Sequence, residues 1–243
     1  MRIASKNNSL EEVQSAHRLL AKFNHLILDT NKIAVCSHPD CPDILQTTAD
    51  GKVCAEQSSG HLLNGVDAPK CFVIQMPIEM QLRYFIEQNG LQKSPEPNPN
   101  TRGDINSGGC YQDLRKEGKI DSHTITVQLN ADGAKVFKSS KFDVWPLMAI
   151  INELPYRLRR EYFILLALWY GDKKPPAQAF LDWAIGKLKN LMDNGIVVNE
   201  ILYKVRVVVI TTDTVARPLL LCTAQFNGEF GCSICLHPGK YIF

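Results

Sequence analysis

Hydrophobic and polar positions change their period along the chain, and those changes divide it. Leu10, Val13, Leu20, Phe23 and Ile27 fall at three-, four- and seven-residue steps, which predicts an amphipathic first helix. Ser9 and Glu12 frame its start as a capping box. Residues 30–71 lose this period; they are polar, turn-rich and hold Cys36, Cys41, Cys54 and Cys71. A second helix is predicted from Pro77 to Asn89, with Ile78, Leu82, Phe85 and Ile86 on one face and Gly90 at its end. Residues 92–109 then carry prolines at 95, 97 and 99 among Asn and Gly, a composition that favours extended backbone and breaks helices. The pattern predicts an N-terminal helical and Cys-rich region over 1–91, a linker over 92–109, and a second region over 110–243.

Beyond the linker the period falls to two. His123 to Asn130 alternates and is rich in β-branched residues, so it reads as a strand. Ala131 to Ala134 reads as a turn, since Asp-Gly tolerates positive φ, and Lys135 to Lys138 as a short returning strand. Phe142 to Ile151 reads as a third strand, with Pro146 placing it at an edge or a bulge. The apolar run 162–170 fits a strand or a buried helix equally. A helix is predicted from Pro175-Pro176 to Asn194, with Phe180, Trp183, Ala184, Leu188, Leu191 and Met192 as its stripe and Gly195 at its end. Residues 203–211 are β-branched almost throughout, the mark of a buried central strand, and Asp213 follows at once.

Composition narrows the class. A chain of 243 residues, 45% hydrophobic, has enough apolar surface to build a core, which excludes general disorder. A formal net charge of +2 gives no broad attraction for polyanions, so any contact with nucleic acid rests on local groups: Lys135, Lys138, Lys141, Arg157, Arg159, Arg160, Lys173 and Lys174. Eight cysteines are too sparse for a disulfide scaffold. The apolar run Tyr162–Tyr170 falls far short of a membrane helix, and the start lacks a secretory pattern, so the expectation is a soluble intracellular protein without a membrane partner.

Asp132 and Asp213 stand at or just past the ends of two predicted strands. If those strands are neighbours, the two carboxylates converge and attract a divalent cation, as a two-metal phosphoryl-transfer site requires. Each Asp has a plainer reading, as a turn residue before Gly133 and as a cap after a strand. Cys232-x-x-Cys235 followed by His237 has the spacing of half a zinc site. Cys36, Cys41, Cys54 and Cys71 lie in a polar stretch without its own core, which suggests a Cys₄ zinc module; His38 or His61 could replace one cysteine. Cys110 and Cys222 read as packing residues, and Trp145, Trp169 and Trp183 as core.

Ordered strings join these pieces. Leu129 to Gly133, Phe137 to Ser140, Trp145-Pro146, Asn152 to Pro155 and Arg157 with Arg159-Arg160 come first. Gly171 to Pro175, Val207 to Ile210, Thr212 to Pro218 and Gly231 to Cys235 follow. Together, over about residues 104–240, they resemble a CACTA-type (En/Spm-like) transposase domain in its animal form. The resemblance implies an α/β, RNase H-like mixed sheet with flanking helices and DDE/D chemistry. It makes Asp132 the first acid, on the first strand, and Asp213 the second, after the fourth. It implies Mg²⁺ or Mn²⁺ activating water and then a 3′-hydroxyl, element-end DNA as substrate, self-association and a nuclear location. The family also needs a third acidic residue on a helix downstream of its Cys-x-x-Cys, whereas eight residues follow Cys235 here. The expectation is therefore an incomplete or decayed core that does not transpose DNA alone. The competing expectations are a catalytically dead module that binds zinc and DNA or protein, and a relic without function.

Overall fold

The computed structural model describes residues 30–36, 45–48, 51–54, 62–63, 71–89, 103–135, 141–235 and 237–239. The first predicted helix, with Leu10 to Ile27, lies outside them, as do His38, Cys41, His61 and Lys138. The described chain is mixed α/β. Its strands are β1 (Asn31–Val35), β5 (Cys71–Gln75), β6 (Thr124–Ala131), β7 (Ala134–Lys135), β8 (Asp143–Ile151), β9 (Ile164–Gly171), β10 (Ile196–Val198) and β11 (Ile201–Thr211). They form one sheet in the order β1-β5-β9-β8-β6-β11-β10, with β7 paired to β8. A separate small sheet holds β2 (Leu45–Thr48), β3 (Gly51–Cys54) and β4 (Leu62–Leu63).

The direction of the strands decides what sits at each end. β6 is antiparallel to β8, and β8 to β9, whereas β11 runs parallel to β6. The C-terminal ends of β6, β9 and β11 therefore share one edge of the sheet. The run 162–170, ambiguous by period, is the interior strand β9. β5 pairs with β9, Phe72 opposite Tyr170, so the sheet takes strands from both sides of the proline-rich stretch 92–109. The buried alternation of Cys71, Val73 and Gln75 suits β5 to that place.

The core lies on one face. Ile125, Val127, Leu129 and Ala131 of β6 join Trp145, Leu147, Ala149 and Ile151 of β8 in a single buried cluster. Helix α1 (Ile78–Asn89) adds Ile78, Leu82, Phe85 and Ile86 to it. Helix α2 (Gly109–Lys116) precedes the sheet strand β6, and α3 (Tyr156–Glu161) links β8 to β9. Helix α4 (Ala177–Asn194) covers the cluster with Phe180, Leu181, Ala184, Leu188 and Leu191, a stripe at helical spacing. Gly195 ends α4 at φ 71°, where its amide bonds Leu191 O; a Cβ there would meet Tyr203 O at 2.6 Å. Trp145 and Trp169 are buried, and Trp183 packs partly buried against the same cluster. Among the described residues no helix is long and apolar enough to cross a membrane.

Residues 203–211 form a strand as expected, but not a buried central one: β11 is mostly half-exposed and lies next to the end of the sheet. Two further local features bear on the sequence reading. Pro146 sits in an interior strand, not at an edge, and the other expectation holds: the β8–β9 register shifts beside it, between Leu147 and Met148. On the β6 side it falls in the gap where pairing stops at Leu147 and resumes at Val144, so its missing amide costs no ladder bond there. The turn expected at Ala131–Ala134 and the returning strand after it do not form: β7 continues the register of β6 along β8, Ala131 opposite Leu147 and Ala134 opposite Val144, and Gly133 has no positive φ. Gly133 is needed for space, since a Cβ there would come within 2.6 Å of the Trp145 ring.

Candidate metal centre

The β6–β11 ladder carries Asp132 and Asp213 to the same level. Its last pair is Asn130 opposite Thr211, and each aspartate stands two residues further along its own strand. Adjacent strands lie about 4.8 Å apart, so the two aspartates stand on neighbouring chains; past Asp132 the chain stays on β8, with Ala134 opposite Val144, whereas past Thr211 it leaves the sheet. Side chains fasten this end: Asn130 Nδ2 donates to Thr211 O at 2.9 Å, Gln128 Nε2 to Thr211 Oγ1 at 3.3 Å, and Thr211 Oγ1 to Leu129 O at 3.2 Å.

Both carboxylates are exposed; Asp213 also has the plainer capping role expected of it, whereas Asp132 sits in no turn. Oδ1 of Asp132 accepts the Gly133 amide at 2.7 Å. Oδ1 of Asp213 accepts the Val215 amide at 2.9 Å and the Ala216 amide at 2.5 Å, which shapes the turn into helix α5 (Arg217–Leu221). The second oxygen of each has no hydrogen-bond partner among the described residues. Two such oxygens are hard donors of the kind Mg²⁺ and Mn²⁺ take. No group of three or more His, Cys, Asp or Glu side chains suited to a metal gathers among the described residues.

Basic groups collect at this same edge. Lys135 ends β7 opposite Asp143, Lys141 lies just before β8, and Lys173-Lys174 just past β9; Arg157, on α3, lies at the opposite end. Of the remaining cations, Arg159 is buried and structural. Its Nε donates to Leu154 O at 2.6 Å, Nη2 to Asn152 O at 2.5 Å, and it pairs with Asp104 at 2.5 Å.

Cys232 and Cys235 are exposed on a bend after α5. The Cys232 thiol is held below its ordinary range by the amides of Ile234 and Cys235 and by the Cys235 thiol. His237 uses Nδ1 to accept the Gly239 amide at 2.9 Å. In the first cysteine group, Cys36 and Cys71 are buried at one end of the β1–β5 pair, where Val35 faces Cys71. Cys71 Sγ donates to Asp172 Oδ1 at 3.4 Å. Cys54 ends β3 opposite Leu45. Cys110 and Cys222 are not packing residues: both are exposed, Cys110 in the first turn of α2 and Cys222 at the left-handed C-cap of α5, φ 51°.

The sequence reading missed a buried polar cluster at the other end of β6. Glu153 Oε1 accepts from Tyr111 Oη at 2.8 Å and Thr126 Oγ1 at 2.6 Å, and Oε2 accepts the Thr126 amide at 2.9 Å. Burial pushes the Glu153 carboxyl above its ordinary range, against the pull of these donors. Asn152 Nδ2 adds a bond to Thr126 Oγ1 at 3.1 Å. The one signal in the sequence was a polar pair, Asn152-Glu153, between Ile151 and Leu154.

No family model matches this sequence, and no curated protein matches it.

Proposed function

We propose that this protein carries a two-carboxylate, metal-dependent site for DNA phosphodiester chemistry, of the DDE/D type, on an RNase H-like sheet. The observation that carries the reading is the register of β6 and β11. It puts Asp132 and Asp213 each two residues past the paired Asn130 and Thr211 on neighbouring strands, each with one oxygen without a hydrogen-bond partner among the described residues. The strand order supports the fold part. β6, β8 and β9 are successive antiparallel neighbours, and α4 leads back toward β11 parallel to β6, which makes Asp132 an acid of the first long strand and Asp213 of the fourth. The lysines at the same edge would meet the phosphates flanking the scissile bond.

Asp132 and Asp213 would hold Mg²⁺ or Mn²⁺, which when bound supplies charge stabilisation at the attacked phosphate. The chain itself contributes the fixed separation of the two acids through Asn130, Gln128 and Thr211. A DDE/D site needs a third acid, and none joins the pair among the described residues. The reaction expected of these residues is therefore metal and DNA binding, with no strand cleavage.

Mn²⁺ titration followed by calorimetry and thermal melting tests this. Binding is expected in the natural chain and absent in an Asp132→Asn, Asp213→Asn variant. Equal binding by both proteins, or by neither, sinks the reading. Carboxylate-dependent nicking of duplex DNA by the natural chain would overturn the prediction of no cleavage. For the DNA part, Lys135→Ala with Lys174→Ala should reduce the slope of log affinity against log salt by roughly 0.9 per lysine that meets a phosphate.

A second reading, a zinc-holding module without catalysis, is favoured by the Cys232–Cys235 bend, where amides and the partner thiol already converge on one sulfur. Zinc retained by the natural chain and lost from Cys232→Ser with Cys235→Ser would support it. Purified protein free of zinc would remove it.

A further inference from the structure

We propose that the outer edge of β11 binds an extended peptide strand whose side chains alternate between apolar and acidic. This surface adjoins the carboxylate pair at Thr211 and Thr212, and its test reads peptide binding without metal.

On its inner side β11 pairs with β6 from Lys204 to Thr211. On its outer side β10 covers only Ile201 to Tyr203. From Lys204 to Thr211 the outer edge has no strand partner among the described residues. The Lys204 amide points inward, to His123 O at 3.0 Å, so by alternation the amides of Val205 and Val207 face outward. An open run of this length is a template for another strand.

A receptacle adjoins the far end of the edge. A cleft of about 400 Å³ is lined by Ile210, Thr211, Thr212, Arg217, Leu220 and Leu221. Ile210 is 53% exposed and Leu221 45%. Exposed β-branched and leucine side chains around a concavity favour an apolar occupant.

Charge selects the rest of the occupant. The guanidinium groups of Arg206 and Arg217 make no ion pair or hydrogen bond among the described residues. Arg206 pairs in register with Thr126 and Ile210 with Leu129, so the two side chains leave opposite faces of the sheet. A docked strand of period two would thus set its apolar residues toward Ile210 and the cleft, and its acidic residues toward Arg206. Arg217, on the cleft wall, would meet an acid at the end of the strand. A second copy is the poorer occupant. Edge-to-edge antiparallel pairing of two β11 strands centred on Val205 would bring Lys204 of each copy against Arg206 of the other.

The probe is a fluorescein-labelled acetyl-(Val-Glu)₄ peptide read by anisotropy with the full chain. Two comparison peptides are used, (Val-Lys)₄ and a (Val-Glu)₄ with alternate backbone amides methylated. The acidic peptide should bind at least about tenfold more tightly than either. Ile210→Asp should weaken it by about tenfold, and Arg206→Glu should reverse the preference toward (Val-Lys)₄. That reversal is a gain of binding, so misfolding cannot produce it. Absent binding, equal binding of the Glu and Lys peptides, or equal binding of the methylated peptide overturns the proposal. So does a concentration-dependent dimer in sedimentation that Ile210→Asp abolishes, since a second copy would then own the edge.

Discussion

The two ends of strand β6 both carry carboxylates, and they treat them in opposite ways. At the N-terminal end, Glu153 is half-buried and both its oxygens accept bonds, from Tyr111 and from the hydroxyl and amide of Thr126. Nearby, Arg159 joins the carbonyls of Asn152 and Leu154 to Asp104, which fixes the short 3-10 turn Ile105–Ser107 ahead of α2. At the C-terminal end, Asp132 and Asp213 are exposed, and each has one oxygen that no described group bonds. A carboxylate whose lone pairs are spent on fixed donors holds a fold together. One with a spare oxygen at a sheet edge can take up something else. The contrast separates structural from candidate functional acids without reference to the residue type.

The contrast predicts a steep order of mutational cost. Arg159→Ala should be the most damaging change. It strips partners from two carbonyls and leaves Asp104 without its cation, at about 3 kcal/mol. Denaturant unfolding would read this as a lower midpoint with an unchanged slope; a loss under about 1 kcal/mol would show that Arg159 is not the clamp. Thr126→Val comes next. It keeps the shape but removes a donor from Glu153 and an acceptor from Asn152, a cost of about 1–2 kcal/mol by the same measurement.

Acidity should separate Glu153 from Asp104. Burial raises the Glu153 carboxyl above its ordinary value. At low pH it is protonated in folded and unfolded chains alike and its ionisation costs nothing. As pH rises past about 4.3, the unfolded chain gives up this proton first, so stability falls until the raised folded value is passed. Asp104 behaves inversely. Burial opposes its ionisation, but the bonds from Arg159 and the Ile105 amide, and the Arg159 charge, outweigh burial and lower its pKa. Its contribution is present at neutral pH and is lost as pH falls through that lowered value. Relative to Glu153→Gln, the natural chain should therefore weaken with rising pH; relative to Asp104→Asn, it should weaken with falling pH. Parallel curves in urea unfolding from pH 3 to 8 would contradict the assignment.

This asymmetry also explains what could be read from the sequence. Asp132 and Asp213 stood out because each follows a run of β-branched residues, and a strand end is a local property. The helix Ala177–Asn194 was readable for the same reason, from its stripe and from Gly195. Glu153 was not, because its partner Tyr111 is 42 positions away and nothing local marks the pair. The β5–β9 pairing across the proline-rich stretch was equally hidden, since strand partners are chosen by the whole sheet. Cys110 and Cys222 were misjudged as packing residues because an exposed thiol and a buried one look identical in a string of letters.

The smallest effect should come from the candidate site itself. Asp213→Ala removes the acceptor of the Val215 and Ala216 amides and should cost about 1 kcal/mol, whereas Asp213→Asn keeps an oxygen there and should cost little. On the proposed pairing of Asp132 with Asp213, Asp132→Asn should go further and raise stability slightly, within about 0.5 kcal/mol, by removing one of two like charges. The gain should shrink as salt screens the pair. It should also invert in Mn²⁺, where the natural chain gains from binding and the variant does not. Melting the two proteins with and without Mn²⁺ gives all three comparisons. A variant less stable than the natural chain in metal-free buffer would mean that Asp132 is a structural residue like any other, and the difference between the two ends of β6 would vanish.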